Sequence, residues 1–211
     1  MRYAIVGDLR RSFPEGDPVL AGAGPIEGAD VVLYLGAPLV PDPDRAAILV
    51  ELGTESLGAH TGENAGEEGS NVLGFARYRN GADAPSRLVE LVRQRNTPES
   101  AIAAARAMLE GAGLAVALCT DQAGRILDRL VRPKYNAALR FLDEGLATQK
   151  DMDLTCRLGL GYPTGPIERV MSGGLAHHHD VTRALFETYG TPGYAPARRA
   201  VVAAARAGEG S

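Results

Sequence analysis

The sequence predicts an α/β domain over residues 1–120 followed by an all-α domain over 121–211, and three observations carry that division. Short, β-branched-rich apolar runs bounded by turn residues fill the first part, which is the pattern of strands buried on both faces of a parallel sheet. From Ala123 onward the apolar residues recur with a helical period instead. The change of pattern falls near Asp121, which makes that position the natural domain boundary.

Taken in order, Tyr3 to Val6, Val31 to Leu35, Ile48 to Leu52, Val72 to Phe75 and Ala115 to Cys119 read as strands, each only four or five residues long. Arg87 to Gln94 and Pro98 to Glu110 read as helices, the second with Thr97 as N-cap, Pro98 at its first position and glycine past its end. Arg11 to Ala29 is rich in proline and glycine, and His60 to Ser70 is polar without an apolar period, so both are expected as loops. In the second half, Gln122 to Gly145 forms a long helix, apolar over more than half its circumference and therefore expected in the core. Thr148 caps a helix over Gln149 to Leu158. Gly165-Pro166 opens another to Met171, and His177 to Tyr189 and Ala195 to Ala207 complete the set.

Composition narrows the function classes. With 211 residues, 45% of them hydrophobic, the chain has material for a real core. A net charge of -4 with dispersed Lys and Arg leaves no basic footprint for nucleic acid. Cys119 and Cys156 lie far apart in apolar segments and read as buried reduced thiols, which fits the cytoplasm. No apolar run approaches the roughly 20 residues of a membrane span, and Met1-Arg2-Tyr3 enters the first strand without a signal-peptide pattern, so neither secretion nor a membrane is expected.

The segments GRILDRLVRPKYNAALRFLDEG and DMDLTCRLGLGYPTGPIE, with the Tyr-Gly-x-Pro-x-Tyr-x-Pro stretch from Tyr189 to Pro196, combine glycines, prolines and spacing in one order. They resemble the C-terminal helical domain of the 3-hydroxyacyl-CoA dehydrogenase family. ADVVLYLGAP, ILVELGTESL, NVLGFARY and RLVELVR are similar to the distal part of that family's nucleotide-binding domain. The resemblance implies an abbreviated Rossmann-like sheet domain followed by a helical dimerisation domain. It also implies NAD as cofactor, acyl-CoA as ligand, and a homodimer through the helical half.

The residues that should carry the chemistry depart from the pattern. A dinucleotide site needs Gly-x-Gly-x-x-Gly after the first strand, so that the backbone and a helix N-terminus approach the pyrophosphate. Here only Gly7 remains; Leu9 and Phe13 or its neighbours stand where further glycines belong, and Asp8 adds negative charge. The run Gly22, Gly24, Gly28 has the wrong spacing, and no acidic residue ends a second strand at the distance needed for the ribose. In the family a strand histidine acts as general base and a glutamate on the next helix orients it. Ala76 takes the histidine's place while Glu90 keeps the glutamate's. Ser56 matches a serine of the substrate-side loop, and Asp128 replaces an asparagine, exchanging a neutral donor for an acceptor-only carboxylate.

His177, His178, His179 and Asp180 invite a metal reading, but successive helical residues point about 100° apart, so a solvated helix start is expected and no metal. His60 reads as a loop histidine, and Glu63, Glu67 and Glu68 as a solvated acidic loop. Two functional readings stay open. One is a degenerate dehydrogenase relative that needs no cofactor and acts as an acyl-CoA binder or as the structural partner of a full-length dehydrogenase. The other is an active NAD-dependent enzyme whose site is non-standard or completed by a partner.

Overall fold

The computed structural model describes residues 1–9, 11–62 and 71–208. Six strands form one sheet: β1 (Tyr3–Gly7), β2 (Val31–Leu35), β3 (Ala47–Glu51), β4 (Val72–Arg77), β5 (Leu88–Arg93) and β6 (Ala115–Thr120). They lie side by side in chain order, all parallel except for the β4–β5 pair, which is antiparallel. β2 and β3 are buried at every position, because both faces of the sheet are covered. One face packs Leu33, Leu49, Leu73 and Leu91 under Ile102, Ala105 and Leu109 of a helix over Glu99–Gly111. The other gathers Val32, Val50, Val72 and Val92 with Leu57 and the half-buried Cys119.

The single-turn helices α1 (Pro18–Ala21) and α2 (Gly58–Thr61) interrupt segments expected to be loops. In order after them come α3 (Glu99–Gly111), α4 (Leu127–Asp143), α5 (Gln149–Leu160), α6 (Pro166–Ser172), α7 (Leu175–Tyr189), a 3-10 turn at Pro192–Tyr194, and α8 (Arg198–Gly208). Three expectations need correction. Arg87 to Gln94 is mostly strand: a six-residue apolar run does not distinguish the two periods, and pairing with β4 and β6 decides it. Thr97 does not cap α3; its Oγ1 accepts from the Gln94 N–H at 3.0 Å, and the cap position falls to Pro98. The long helix starts at Leu127 rather than at Gln122, since Gly124 (φ 70°) and Arg125 (φ 48°) are left-handed and cannot continue a right-handed turn.

The chain divides into two compact units. The first comprises Met1–Arg79 with Pro85–Arg125, and the second comprises Asn80–Ala84 with Ile126–Ser211. The second has its own core of Tyr135, Leu139, Val170 and Ala197. Thr148 caps α5 through the Asp151 N–H at 3.2 Å. Asp153, almost fully buried, caps α6 across the intervening turn: its two oxygens accept from the N–H groups of Ile167 (2.9 Å) and Glu168 (3.1 Å). A Cβ at Gly165 would overlap that carboxylate, which explains the glycine before Pro166. α4 is less buried than its pattern predicts: Leu130 and Phe141 are exposed, while the polar Arg132 and Asn136 are inside.

Removing the Asp153 carboxylate leaves two N–H groups at a helix start without an acceptor. Asp153→Ala should cost about 2 kcal/mol of stability, read as a lower urea midpoint of the full chain. An unchanged midpoint would exclude this capping role.

Candidate functional site

Antiparallel pairing of β4 and β5 sets Ala76 directly opposite Glu90, so the two side chains leave the sheet on the same face. Both residues are buried. Glu90 thus stands on a strand and not on a helix, and the group across from it is a methyl, which can neither accept nor donate a proton. The charge beside it is Arg125: Nε lies 3.5 Å from Glu90 Oε2, and the Arg125 side chain is only 4% exposed. Nη2 of Arg125 donates to the Gly53 carbonyl at 2.6 Å, while Nε and Nη1 find no hydrogen-bond acceptor among the described residues. Among the described residues Arg125 is the single non-glycine with positive φ. Left-handed backbone of this kind costs about 1–2 kcal/mol and persists only where surrounding contacts impose it.

Those contacts come from the turn that Asp121 begins. Its carboxylate accepts from the N–H groups of Leu57 (2.6 Å) and Gly58 (2.8 Å), and the Gly124 N–H donates to the Thr54 carbonyl at 2.8 Å. The turn is therefore laced to the loop that carries Ser56. Nearby, the Cys119 thiol is pushed up to about 11, first by burial and then by the charge of Glu90; Arg125 opposes the shift and Asp121 adds to it. Cys119 is thus a protonated, unreactive thiol, and both Cys119 and Cys156 are half-buried rather than fully buried. Ser56 lines a cavity of about 700 Å³ with Arg93, Gln94, Arg95 and Asp121, and neither Glu90 nor Ala76 lines it. The structure thus joins Glu90 to Ala76 and Arg125 and gives Ser56 other neighbours.

The segment after β1 does not fit a dinucleotide. Gly7 (φ 96°) is required because a Cβ there would overlap the Leu35 carbonyl of β2, a packing reason independent of any ligand. The Leu9 N–H donates to Leu35 at 3.2 Å and the Ser12 N–H to Glu51 Oε1 at 2.7 Å, so N–H groups that could cradle phosphate are engaged. Glu51 is itself a buried carboxylate whose Oε2 has no hydrogen-bond partner among the described residues, a poor neighbour for pyrophosphate. The next helical residues, Pro18–Ala21, form one turn only.

In the second unit, Asp128 Oδ1 accepts from Arg132 Nε at 2.8 Å, four residues on along α4. Arg132 Nη1 lies 3.3 Å from His178 Nδ1, and His178 Nε2 lies 3.0 Å from Asn136 Oδ1. Arginine can only donate, so Nδ1 is the acceptor and Nε2 carries the proton toward Asn136. Asn136 also accepts from the Ala197 N–H (3.2 Å) and donates to the Gly193 carbonyl (3.0 Å). Contrary to the expected solvated helix start, His178 is buried, and burial, then the Arg132 charge and its histidine neighbours, lower it to about 3. No cluster of metal-ligating side chains occurs among the described residues. His60 falls in α2, with Nε2 3.3 Å from Glu55, while Glu63, Glu67 and Glu68 lie outside the described residues. Sequence reasoning missed Arg125, Asp121, Gln94 and the Arg132–Asn136 pair. Only the Gly124 that precedes Arg125 hinted at a constrained turn.

Residues 124–211 match the family model described as 3-hydroxyacyl-CoA dehydrogenase, C-terminal domain. A 3-hydroxybutyryl-CoA dehydrogenase of Mycobacterium tuberculosis is 31% identical over 159 residues, 75% of this chain and 54% of that protein. Human mitochondrial hydroxyacyl-coenzyme A dehydrogenase is 32% identical over 89 residues, 42% of this chain and 28% of its own length. The chain thus spans about half the length of the first of these relatives or less. Among solved structures, (S)-3-hydroxybutyryl-CoA dehydrogenase PaaH1 from Ralstonia eutropha superposes with a TM-score of 0.71 at 20% identity, covering 85% of this chain and 66% of that one. M. tuberculosis FadB2 gives 0.69 at 24% with the same coverage. These structures show the fold: a Rossmann-like, mostly parallel sheet joined to a helical domain.

His178 makes a pH prediction. Its folded value, near 3, lies below the ordinary 6.5, so its contribution is complete above pH 6.5 and is lost as pH falls toward 3, when the unfolded chain takes up the proton first. Wild type should lose more stability between pH 7 and pH 4 than His178→Gln, compared by thermal unfolding. Parallel pH profiles would rule out a buried neutral imidazole.

Proposed function

We propose, for a chain that belongs through its C-terminal domain to the 3-hydroxyacyl-CoA dehydrogenase family, that it is a degenerate member without intrinsic NAD-dependent activity, acting as an acyl-CoA binder or structural partner in acyl-CoA oxidation. The observation that carries the reading is the pairing of Glu90 with Ala76 and Arg125. A family-type proton transfer needs an imidazole opposite the carboxylate, and losing a general base removes a contribution of roughly 10² to 10⁴ in rate. Glu90 faces a methyl, and a buried guanidinium holds its charge instead. The engaged N–H groups of Leu9 and Ser12 and the buried Glu51 support the absence of a cofactor requirement.

Asp128, in the place of the family's asparagine, is committed to Arg132 as an acceptor. This favours a binding role over one in which that position donates to a substrate oxygen. The half-buried free thiols Cys119 and Cys156 accord with the reducing cytoplasm, and no helix among the described residues is long and apolar enough to cross a membrane. A homodimer through the helical unit is supported by its exposed apolar side chains. Leu130, Leu146, Leu158 and Leu160 are each more than 60% exposed, an unusual apolar load for a monomer's surface.

Titration of the full chain with NAD and NADH, followed by nucleotide fluorescence and thermal shift, should give no saturable binding at millimolar cofactor, while acetoacetyl-CoA alone should raise the melting temperature. Ala76→His should remain inactive. Turnover by wild type or by that variant would overturn the degenerate reading in favour of an active or partner-completed dehydrogenase. In sedimentation velocity the chain should run as a dimer that Leu158→Glu with Leu160→Glu dissociates. A monomeric wild type at micromolar concentration would discard the dimer.

A further inference from the structure

We propose that the cavity at the ends of β5 and β6 is a second binding site, for a small phosphate ester that also carries a hydroxyl or N–H donor. The site lies within the first unit and excludes Glu90 and Ala76. Its volume, about 700 Å³, lies within the usual range for small-molecule sites.

Gln94 is the inner recognition group. The residue is 5% exposed, and its Nε2 donates to Thr61 Oγ1 at 2.7 Å and to Asp121 Oδ2 at 3.2 Å. Those two bonds decide the amide orientation, since a flip would set Oε1 against the Asp121 carboxylate. Among the described residues Oε1 then has no hydrogen-bond partner. A buried orphan acceptor is costly, and a ligand hydroxyl or N–H would satisfy it. Asp121 already accepts three donors, from Leu57, Gly58 and Gln94, whereas Gln94 Oε1 accepts none among the described residues. The absence of a side chain at Gly58 leaves these groups converging on one point. A Cβ there would have Asp121 Oδ2 at 3.5 Å, Ser56 Oγ at 3.7 Å and Gln94 Nε2 at 4.0 Å.

The outer wall is cationic. Arg95 is exposed and makes no ion pair among the described residues, and Arg93 has only a 3.8 Å contact with Glu99, whose side chain is 85% exposed. A surface pair of that kind is worth little, so an arriving anion can displace it. Two arginines and a serine lining one cavity match the multiple oxygens and double charge of a phosphate monoester better than a single carboxylate. A phosphate at the arginines with a donor reaching Gln94 uses every unsatisfied group named here.

Isothermal titration of the full chain with ribose 5-phosphate and adenosine 5′-monophosphate tests this, with ribose and inorganic phosphate as partial probes. Both esters should bind saturably, phosphate more weakly and ribose not at all. Arg95→Glu should weaken the esters about tenfold or more. Gln94→Met should bring them down to the level of inorganic phosphate. Should Gln94→Met fail to fold, Ser56→Ala, expected to weaken both esters severalfold, takes its place. Because coenzyme A is itself a phosphate ester, the titration is repeated with saturating acetoacetyl-CoA, and unchanged affinity is expected. The proposal is overturned if millimolar ester does not bind, if Arg95→Glu binds as wild type, if phosphate equals the esters, or if acetoacetyl-CoA competes.

Discussion

The carboxylate of Asp121 is the constraint on which the first unit's chemistry turns. It stands just past β6 and captures three N–H donors, from Leu57, Gly58 and Gln94. An ionised acceptor makes hydrogen bonds of about twice the ordinary strength, so one side chain joins the end of the sheet to the loop after β3. The left-handed pair Gly124 and Arg125 follows from that anchoring, and through it the guanidinium reaches Glu90. The same bonds orient the Gln94 amide and leave its oxygen without a donor among the described residues.

The Glu90–Arg125 pair places two opposite charges together in the interior of the first unit. Burying a carboxylate alone costs several kcal/mol, and with the Ala76 methyl opposite it Glu90 gains from an opposite charge alongside. Arg125 supplies the opposite charge without supplying an exchangeable proton, since guanidinium does not deprotonate in proteins. Its left-handed backbone, and its Nε and Nη1 without acceptors among the described residues, show that the arrangement is imposed by the turn rather than optimised for the pair.

The helical unit follows the same economy in a different form. Arg132, His178 and Asn136 are interior polar residues on α4 and α7, and each finds its partners within a single chain of bonds from Asp128 to the segment around Gly193 and Ala197. Arg132 holds His178 neutral by charge repulsion added to burial, which fixes the tautomer that Asn136 needs. The apolar residues displaced from the interior of α4 by this network are those left at the surface, Leu130 and Phe141 among them.

The sequence by itself determined the order of elements, the α/β-then-α division and the family relationship. Strand runs such as Val31–Leu35, the Thr148 cap and the Gly165-Pro166 helix start are local signals, governed by propensity and capping within a few residues. That Ala76 stands where the resemblance implies a histidine was also legible, because a methyl needs no coordinates to be recognised as chemically inert; that it lies opposite Glu90 was not. Tertiary structure alone decided that Leu88–Arg93 is a strand, that Arg125 neutralises Glu90 across 35 residues of sequence, that His178 is buried, and that Gln94 and Ser56 share a cavity with two arginines. Each of these depends on pairing or burial between residues distant in the chain. Their cause is the free energy of satisfying buried polar groups and charges, which no local pattern in the sequence encodes.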